Sequence, residues 1–192
     1  LSLRRQRQMC IRDRMNTLSI VIPAYNEEQR LPKTLQTLKA MSEAGVFEFA
    51  IEEVIVVDDG SVDGTVAWSN EFAKSWSKLK TVSLSQNRGK GAAVRKGFEE
   101  ARGQWILVAD ADMATPWDEM NKFKAGESSE DLFMGSRALA ESDIVVRQHW
   151  LRQNMGKTFN KILKGLVGLP YKDTQCGFCL LYTSPSPRDL ST

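Results

Sequence analysis

The stretch Leu18-Ser19-Ile20-Val21-Ile22-Pro23-Ala24-Tyr25-Asn26-Glu27-Glu28 decides the fold. Its first five residues are apolar or β-branched with a single serine, the profile of a strand buried on both faces, and Pro23 closes the run. Leu31, Leu35 and Leu38 then recur at helical spacing, with Pro32 where only a first helical turn accepts it. The unit reads strand, polar loop, helix.

Working outward, the same order returns. Glu53 to Val57 reads as a strand, Asp58-Asp59-Gly60-Ser61 as a turn, and Asp63 as the cap of a helix reaching Trp76. A third unit has Thr81 to Leu84 as strand, Asn87-Arg88-Gly89-Lys90-Gly91 as loop and Ala92 to Ala101 as helix. Trp105 to Ala109 is a fourth strand ending at Asp110-Ala111-Asp112, and Asp131 to Met134 a further one leading into Gly135-Ser136-Arg137. Strands alternating with helices predict an α/β fold, a mostly parallel sheet with helices on both faces. In such sheets ligands bind beyond the carboxyl ends of the strands, which puts Tyr25 to Glu27, Asp58-Asp59, Asn87 to Gly91 and Asp110 to Asp112 on one rim.

Composition supports one ordinary globular domain: 192 residues, 42% hydrophobic and 26% charged, with a formal net charge of +2. A disordered chain would be poorer in apolar residues, and a membrane-spanning helix would need roughly 18 or more consecutive ones, which occur nowhere. Three cysteines, Cys10, Cys176 and Cys179, are too few and too unevenly spaced for a disulfide framework or zinc site, which points to a reducing compartment.

The two ends have a reading of their own. One DNA stretch, ATGTGTATAAGAGACAG, encodes Met9 to Asp13, and its reverse complement in a shifted frame encodes Cys179 to Thr183. That inverted repeat resembles a sequencing-library adapter, so residues 1–14 and 179–192 are expected to be non-native scars. On this reading the native domain is 15–178 and is cut short at its C-terminal side. The ends hold Arg4, Arg5, Arg7, Arg12, Arg14 and Arg188 against Asp13 and Asp189, so without them the small positive charge becomes a small negative one.

Each rim motif has a chemical and a structural reading. Asp110 and Asp112 could hold a hard divalent cation through one or two oxygens, leaving its other positions to water and a diphosphate, or one could cap the next helix. Asp58 and Asp59 could accept hydrogen bonds from a nucleobase imide or a ribose hydroxyl, or form an ordinary Asp-Gly turn. The Asn87 to Gly91 loop could present backbone amides and Lys90 to phosphate, although neither a P-loop nor a GxGxxG fingerprint is present, or it could be a turn for close packing. His149 has no triad partner and Cys176 reads as a packed residue. The segment from Arg147 to Leu169 reads as an amphipathic helix whose Arg147, Arg152, Lys157, Lys161 and Lys164 form a solvated face or a surface for phosphate or lipid headgroups. The basic residues lie mostly in this one segment and in residues 1–14, with no aromatic stacking pattern beside them, which argues against nucleic acid.

In order, Val21 to Glu28, Val57 to Thr65, Asn87 to Gly91 and Asp110-Ala111-Asp112 resemble the motifs of a family 2 glycosyltransferase with the GT-A fold, a Rossmann-like architecture. Asn87 to Val94, Gly135 to Ala138, Arg147-Gln148, Gly156 to Asn160 and Asp173 to Phe178 are similar to the dolichyl-phosphate β-glucosyltransferase branch. The resemblance implies an inverting, metal-dependent enzyme moving a hexose, glucose from UDP-glucose, to a polyprenyl or dolichyl phosphate. It implies that Pro23, Tyr25, Glu27, Asp58, Asp59, Lys90 and Asp110 bind the nucleotide-sugar donor, with Asp59 at uracil and Asp110 at the ribose or sugar. Asp112, with Asp110, would hold Mg²⁺ or Mn²⁺, and Arg137, Arg147, Arg152 and Lys157 would meet the acceptor phosphate. Asp112, Arg137 and Arg152 are the catalytic candidates. The implied location is the cytoplasmic face of a membrane, peripherally bound. Alternatives are a family member with a polysaccharide or other hydroxyl acceptor, and a non-catalytic nucleotide-sugar-binding module.

Overall fold

The computed structural model describes residues 17–123, 132–135 and 177–183. The chain divides into two units, Leu1–Phe133 with Phe178–Thr192, and Met134–Gly177; the architecture below is that of the first. Strand β1 spans Thr17–Ala24, α1 Leu31–Glu43, β2 Ala50–Asp58, α2 Thr65–Ala73, β3 Leu79–Ser83, α3 Lys90–Glu100 and β4 Trp105–Ala109. A 3-10 helix follows at Trp117–Lys122, then β5 at Leu132–Met134 and β6 at Phe178–Tyr182.

The six strands lie in the order β3-β2-β1-β4-β6-β5. Strands β1 to β4 pair in parallel, and β6 runs antiparallel to β4. The crossovers through α1 and α2 step from β1 to β2 to β3, whereas the one through α3 turns back past β1 to β4. Right-handed crossovers in opposite directions put α3 on the sheet face opposite α1 and α2. Period-two alternation matches this: Val21, Ile55, Val57 and Ile106 form one buried cluster with Ala93 of α3, and Phe98 packs against it. Leu18, Ile20, Ile22, Val54, Val56 and Leu107 are equally buried on the other phase of the pleat. The reversal of crossover direction lies between β1 and β4, which is where such sheets bind ligands.

Pro23 shapes that boundary. Strand β1 pairs with β2 over its whole length, but with β4 only from Leu18 to Val21. Pro23 has no N–H to offer a ladder, so its missing donor costs nothing where the β4 pairing has already ended.

The structure shifts several expected boundaries. Helix α2 ends at Ala73 rather than Trp76, because Lys74, Ser75 and Trp76 close in three-residue turns onto Glu71, Phe72 and Ala73. Asp63 is not its cap in the expected sense: Gly64 holds that position, and the Asp63 carboxylate accepts from the Thr65 amide and hydroxyl. Strand β2 starts three residues earlier than expected, β3 two residues earlier, and α3 already at Lys90. Residues 179–182, set aside on encoding grounds, form most of β6: Phe178 and Leu180 are buried, and the ladder runs Ala109 to Phe178 through Trp105 to Tyr182. The expected helix from Arg147 to Leu169 lies outside the described residues.

Candidate active site

Three loops at the carboxyl ends of β1, β2 and β3 are fastened to one another. The Asn26 amide donates to Ser61 Oγ at 2.9 Å, and the Val62 amide returns a bond to Asn26 Oδ1 at 3.0 Å. Glu27 N donates to Thr65 Oγ1 at 2.8 Å, Glu28 N to an Asp63 carboxylate oxygen at 3.2 Å, and Gly64 N to Glu28 Oε2 at 3.1 Å. The motif residues Ser61, Asp63 and Thr65 therefore satisfy backbone amides of the first loop, which would otherwise be left without partners. Asn26 adopts φ 54°, a left-handed conformation that asparagine tolerates better than most residues.

The two neighbouring aspartates of the second loop take different roles. Asp58 is buried and turned back onto the amides of Gly60 and Ser61, which is the Asp-Gly turn reading; it is not among the residues lining the cleft. Of the two aspartates expected at the nucleotide, the structure brings Asp59 and not Asp58 to the cleft. Asp59 lines the cleft, and its oxygens accept from the Arg88 amide at 2.8 Å and the Gly89 amide at 2.7 Å, holding the third loop. A carboxylate has about four lone-pair sites, so Asp59 keeps acceptor capacity after both bonds.

Those loops and the end of β4 enclose a cleft of about 200 Å³ lined by Pro23, Ala24, Tyr25, Glu27, Asp59, Lys90, Ala93, Asp110, Ala111 and Asp112. Six of the seven expected donor-binding residues thus come together, along with both expected metal ligands. Tyr25 is open to solvent at 44% exposure. Lys90 Nζ pairs with Asp110 Oδ1 at 2.5 Å, and the Asp112 carboxylate accepts from the Ala114 amide at 3.0 Å.

Glu27 is the unusual group. Its Oε1 accepts from Arg30 at 2.6 Å, while Oε2 is buried and takes no hydrogen bond from the described residues. Burial raises its pKa above the ordinary 4.5, the Arg30 guanidinium pulls the other way, and the nearby charges of Asp112 and Asp63 add to the rise. An unpartnered buried acceptor beside two further carboxylates suits a ligand that brings hydroxyl or N–H donors, or a cation.

Oxygen donors from Asp110 and Asp112 fit a hard divalent ion held by one or two carboxylates with the remaining positions left to a diphosphate. Among the described residues no group of three or more His, Cys, Asp or Glu side chains is placed to hold a metal by protein ligands alone.

Residues that the sequence reading missed position this site from behind. Thr34 Oγ1, buried in α1, donates to the Ala111 carbonyl at 2.6 Å and ties the Asp110 to Asp112 loop to that helix. Its only signal in the sequence is a polar residue one place before a core leucine, which is faint. Arg30 likewise carries no motif. Arg137, Arg147, Arg152 and Lys157 lie outside the described residues, as do His149 and Cys176.

Residues 19–181 match the family described as Glycosyl transferase family 2. The chain belongs to glycosyl transferase family 2. A relative, the dolichyl-phosphate beta-glucosyltransferase of Drosophila melanogaster, is 40% identical over 187 residues, covering 91% of this chain and 57% of that protein. The protein of the same name from Mus musculus is 35% identical over 186 residues with the same coverage. The chain therefore spans little more than half the length of these curated relatives. Glucosyl-3-phosphoglycerate synthase from Mycobacterium tuberculosis, solved with phosphoglyceric acid, superposes with a TM-score of 0.58 at 18% identity, over 87% of this chain and 57% of that one. That likeness shows the GT-A-like fold. Among the described residues no helix is long and apolar enough to cross a membrane.

Proposed function

We propose that the chain is the donor-binding part of an inverting, metal-dependent glycosyltransferase that moves glucose from UDP-glucose to a polyprenyl phosphate such as dolichyl phosphate. The observation that carries this reading is the cleft at the β1/β4 boundary, where Asp59, Asp110 and Asp112 meet Pro23, Tyr25, Glu27 and Lys90. The relatives named dolichyl-phosphate beta-glucosyltransferase support the acceptor class.

In this reading Asp59 accepts from the uracil imide beside Tyr25, and Glu27 and Asp110 face ribose or sugar hydroxyls. Asp112, with Asp110, holds Mg²⁺ or Mn²⁺, which when bound supplies Lewis acidity to the departing diphosphate. Arg137, Arg147, Arg152 and Lys157 draw in and orient the acceptor phosphate. A phosphate oxygen is already anionic near neutral pH and attacks the anomeric carbon without a strong general base, so the protein's work is alignment and charge stabilisation. A lipid acceptor places the reaction at a membrane surface, with this domain bound peripherally on the cytoplasmic side.

The test is transfer of radiolabelled glucose from UDP-glucose into the lipid phase by the protein expressed at the length of its relatives. Asp112→Ala is expected to lower the rate by about 100-fold or more, the scale of losing one charge-stabilising group. Product that stays in the aqueous phase would select a hydroxyl acceptor. Binding of UDP without turnover of any nucleotide sugar would reduce the protein to a binding module and overturn the proposal.

A further inference from the structure

Four carboxylates line the cleft, and among its lining residues Lys90 is the sole cation. Each of the four has a partner: Glu27 takes the Arg30 guanidinium, and Asp59 takes two backbone amides. Asp112 takes one amide, and Asp110 takes the Lys90 ammonium. Lys90 is the first residue of α3, where the positive end of the helix dipole disfavours a cation unless an anion lies beside it. Its side chain is 54% exposed and that of Asp110 is 35% exposed, so the pair can part without unpacking the core. The same ammonium thus occupies one of the carboxylate oxygens that Asp110 and Asp112 offer a divalent cation, at a helix start suited to phosphate.

We infer that Lys90 is a transferable counter-ion: in the free protein it neutralises Asp110 and competes with a divalent cation there, and on donor binding it passes to the diphosphate and releases Asp110. Metal and donor are then taken up together, and the free protein holds metal weakly. The inference rests on the donor and metal reading above. Lys90 acts on metal through Asp110 as a positioning residue, and on the donor directly.

The experiment measures Mn²⁺ binding to the free protein by the electron paramagnetic resonance of unbound Mn²⁺, and UDP binding in chelator by calorimetry. Lys90→Met is expected to bind Mn²⁺ alone about fivefold more tightly and UDP without metal about fivefold more weakly, the scale of one partly exposed ion pair. Lys90→Arg should return both affinities toward the parent values. Asp110→Asn should tighten metal-free UDP binding, because Lys90 is no longer tied. A purely structural Lys90 would leave the Asp110 loop loose and weaken Mn²⁺ binding, and a pure phosphate ligand would leave Mn²⁺ binding unchanged; either result overturns the inference. Should the parent bind no Mn²⁺ with or without UDP, the metal reading fails and the inference with it. Flat Lys90 variants in a protein that binds Mn²⁺ with UDP would sink the inference alone.

Discussion

Gly97→Ala in α3 tests whether the helix carrying Lys90 is set by contact with β1. A Cβ at Gly97 would fall inside the van der Waals boundary of Val21 Cγ1, 3.0 Å from Cγ2 and 3.2 Å from Cβ. Val21 is fully buried and flanked by β2 and β4, so it has no open side to move toward. Alanine in a helix interior gains about 1 kcal/mol over glycine. Overpacking a closed core typically costs about 1–3 kcal/mol, and a clash this close belongs at or above the upper end. The expected balance is a net loss of about 2 kcal/mol or more, read as a lower urea midpoint with unchanged slope. Val21→Ala removes both Cγ atoms and should turn the cycle strongly non-additive, with the double variant no less stable than Val21→Ala alone. Lys90 lies seven residues before Gly97, about two helical turns along the same axis. A displaced helix should therefore raise the KM for donor as well. A Gly97→Ala protein as stable as its parent, or an additive cycle, would refute the packing argument.

Three further outcomes follow from the same structure. Gly60→Ala combines φ 77° with a Cβ 2.8 Å from the Asn87 amide nitrogen, and should lose about 2 kcal/mol or more in thermal or urea unfolding. Thr34→Val removes the donor to the Ala111 carbonyl, and should lose about 1–2 kcal/mol while lowering kcat in the transfer assay, since the Asp110 to Asp112 loop loses its tie. Burial alone would raise the pKa of Glu53, but bonds from Lys80, Ser19 and the Arg102 amide outweigh it and hold the pKa below 4.5. Its stabilising contribution is whole above pH 4.5 and is lost as pH falls through the lowered folded value, so Glu53→Gln should be less stable at neutral pH and show a flatter acid limb in a stability–pH series.

The parallel core was legible because strands buried on both faces are apolar almost throughout, as Trp105 to Ala109 is and as Leu18 to Ile22 is apart from Ser19. The rim was legible because strand ends follow from the strands. Helix ends were less so: α2 stops at Ala73 with neither glycine nor proline to announce it, and Trp76, in the turns that follow, is buried. The encoding of residues 179–183 points away from a strand, whereas the burial of Phe178 and Leu180, two apart in β6, is what a strand with one covered face requires. Ladder bonds are made by main chain, so an apolar alternating run pairs with β4 whatever its origin. The division of labour between Asp58 and Asp59 was invisible for another reason: neighbouring carboxylates in a turn point in different directions, and only the backbone path decides which one meets the cleft.

The fastening of the first two loops has a bearing on recognition. Side chains of each loop bond to amides of the other, in both directions, before any ligand arrives. A wall built in this way behaves as a mould, not a glove: a donor that fits spends little of its interaction energy on ordering the protein. On the proposed reading, wrong sugars would be turned away by shape and by unanswered polar groups such as Glu27 Oε2 rather than by a failure to close, and the difference between a good donor and a poor one should appear in how long each stays.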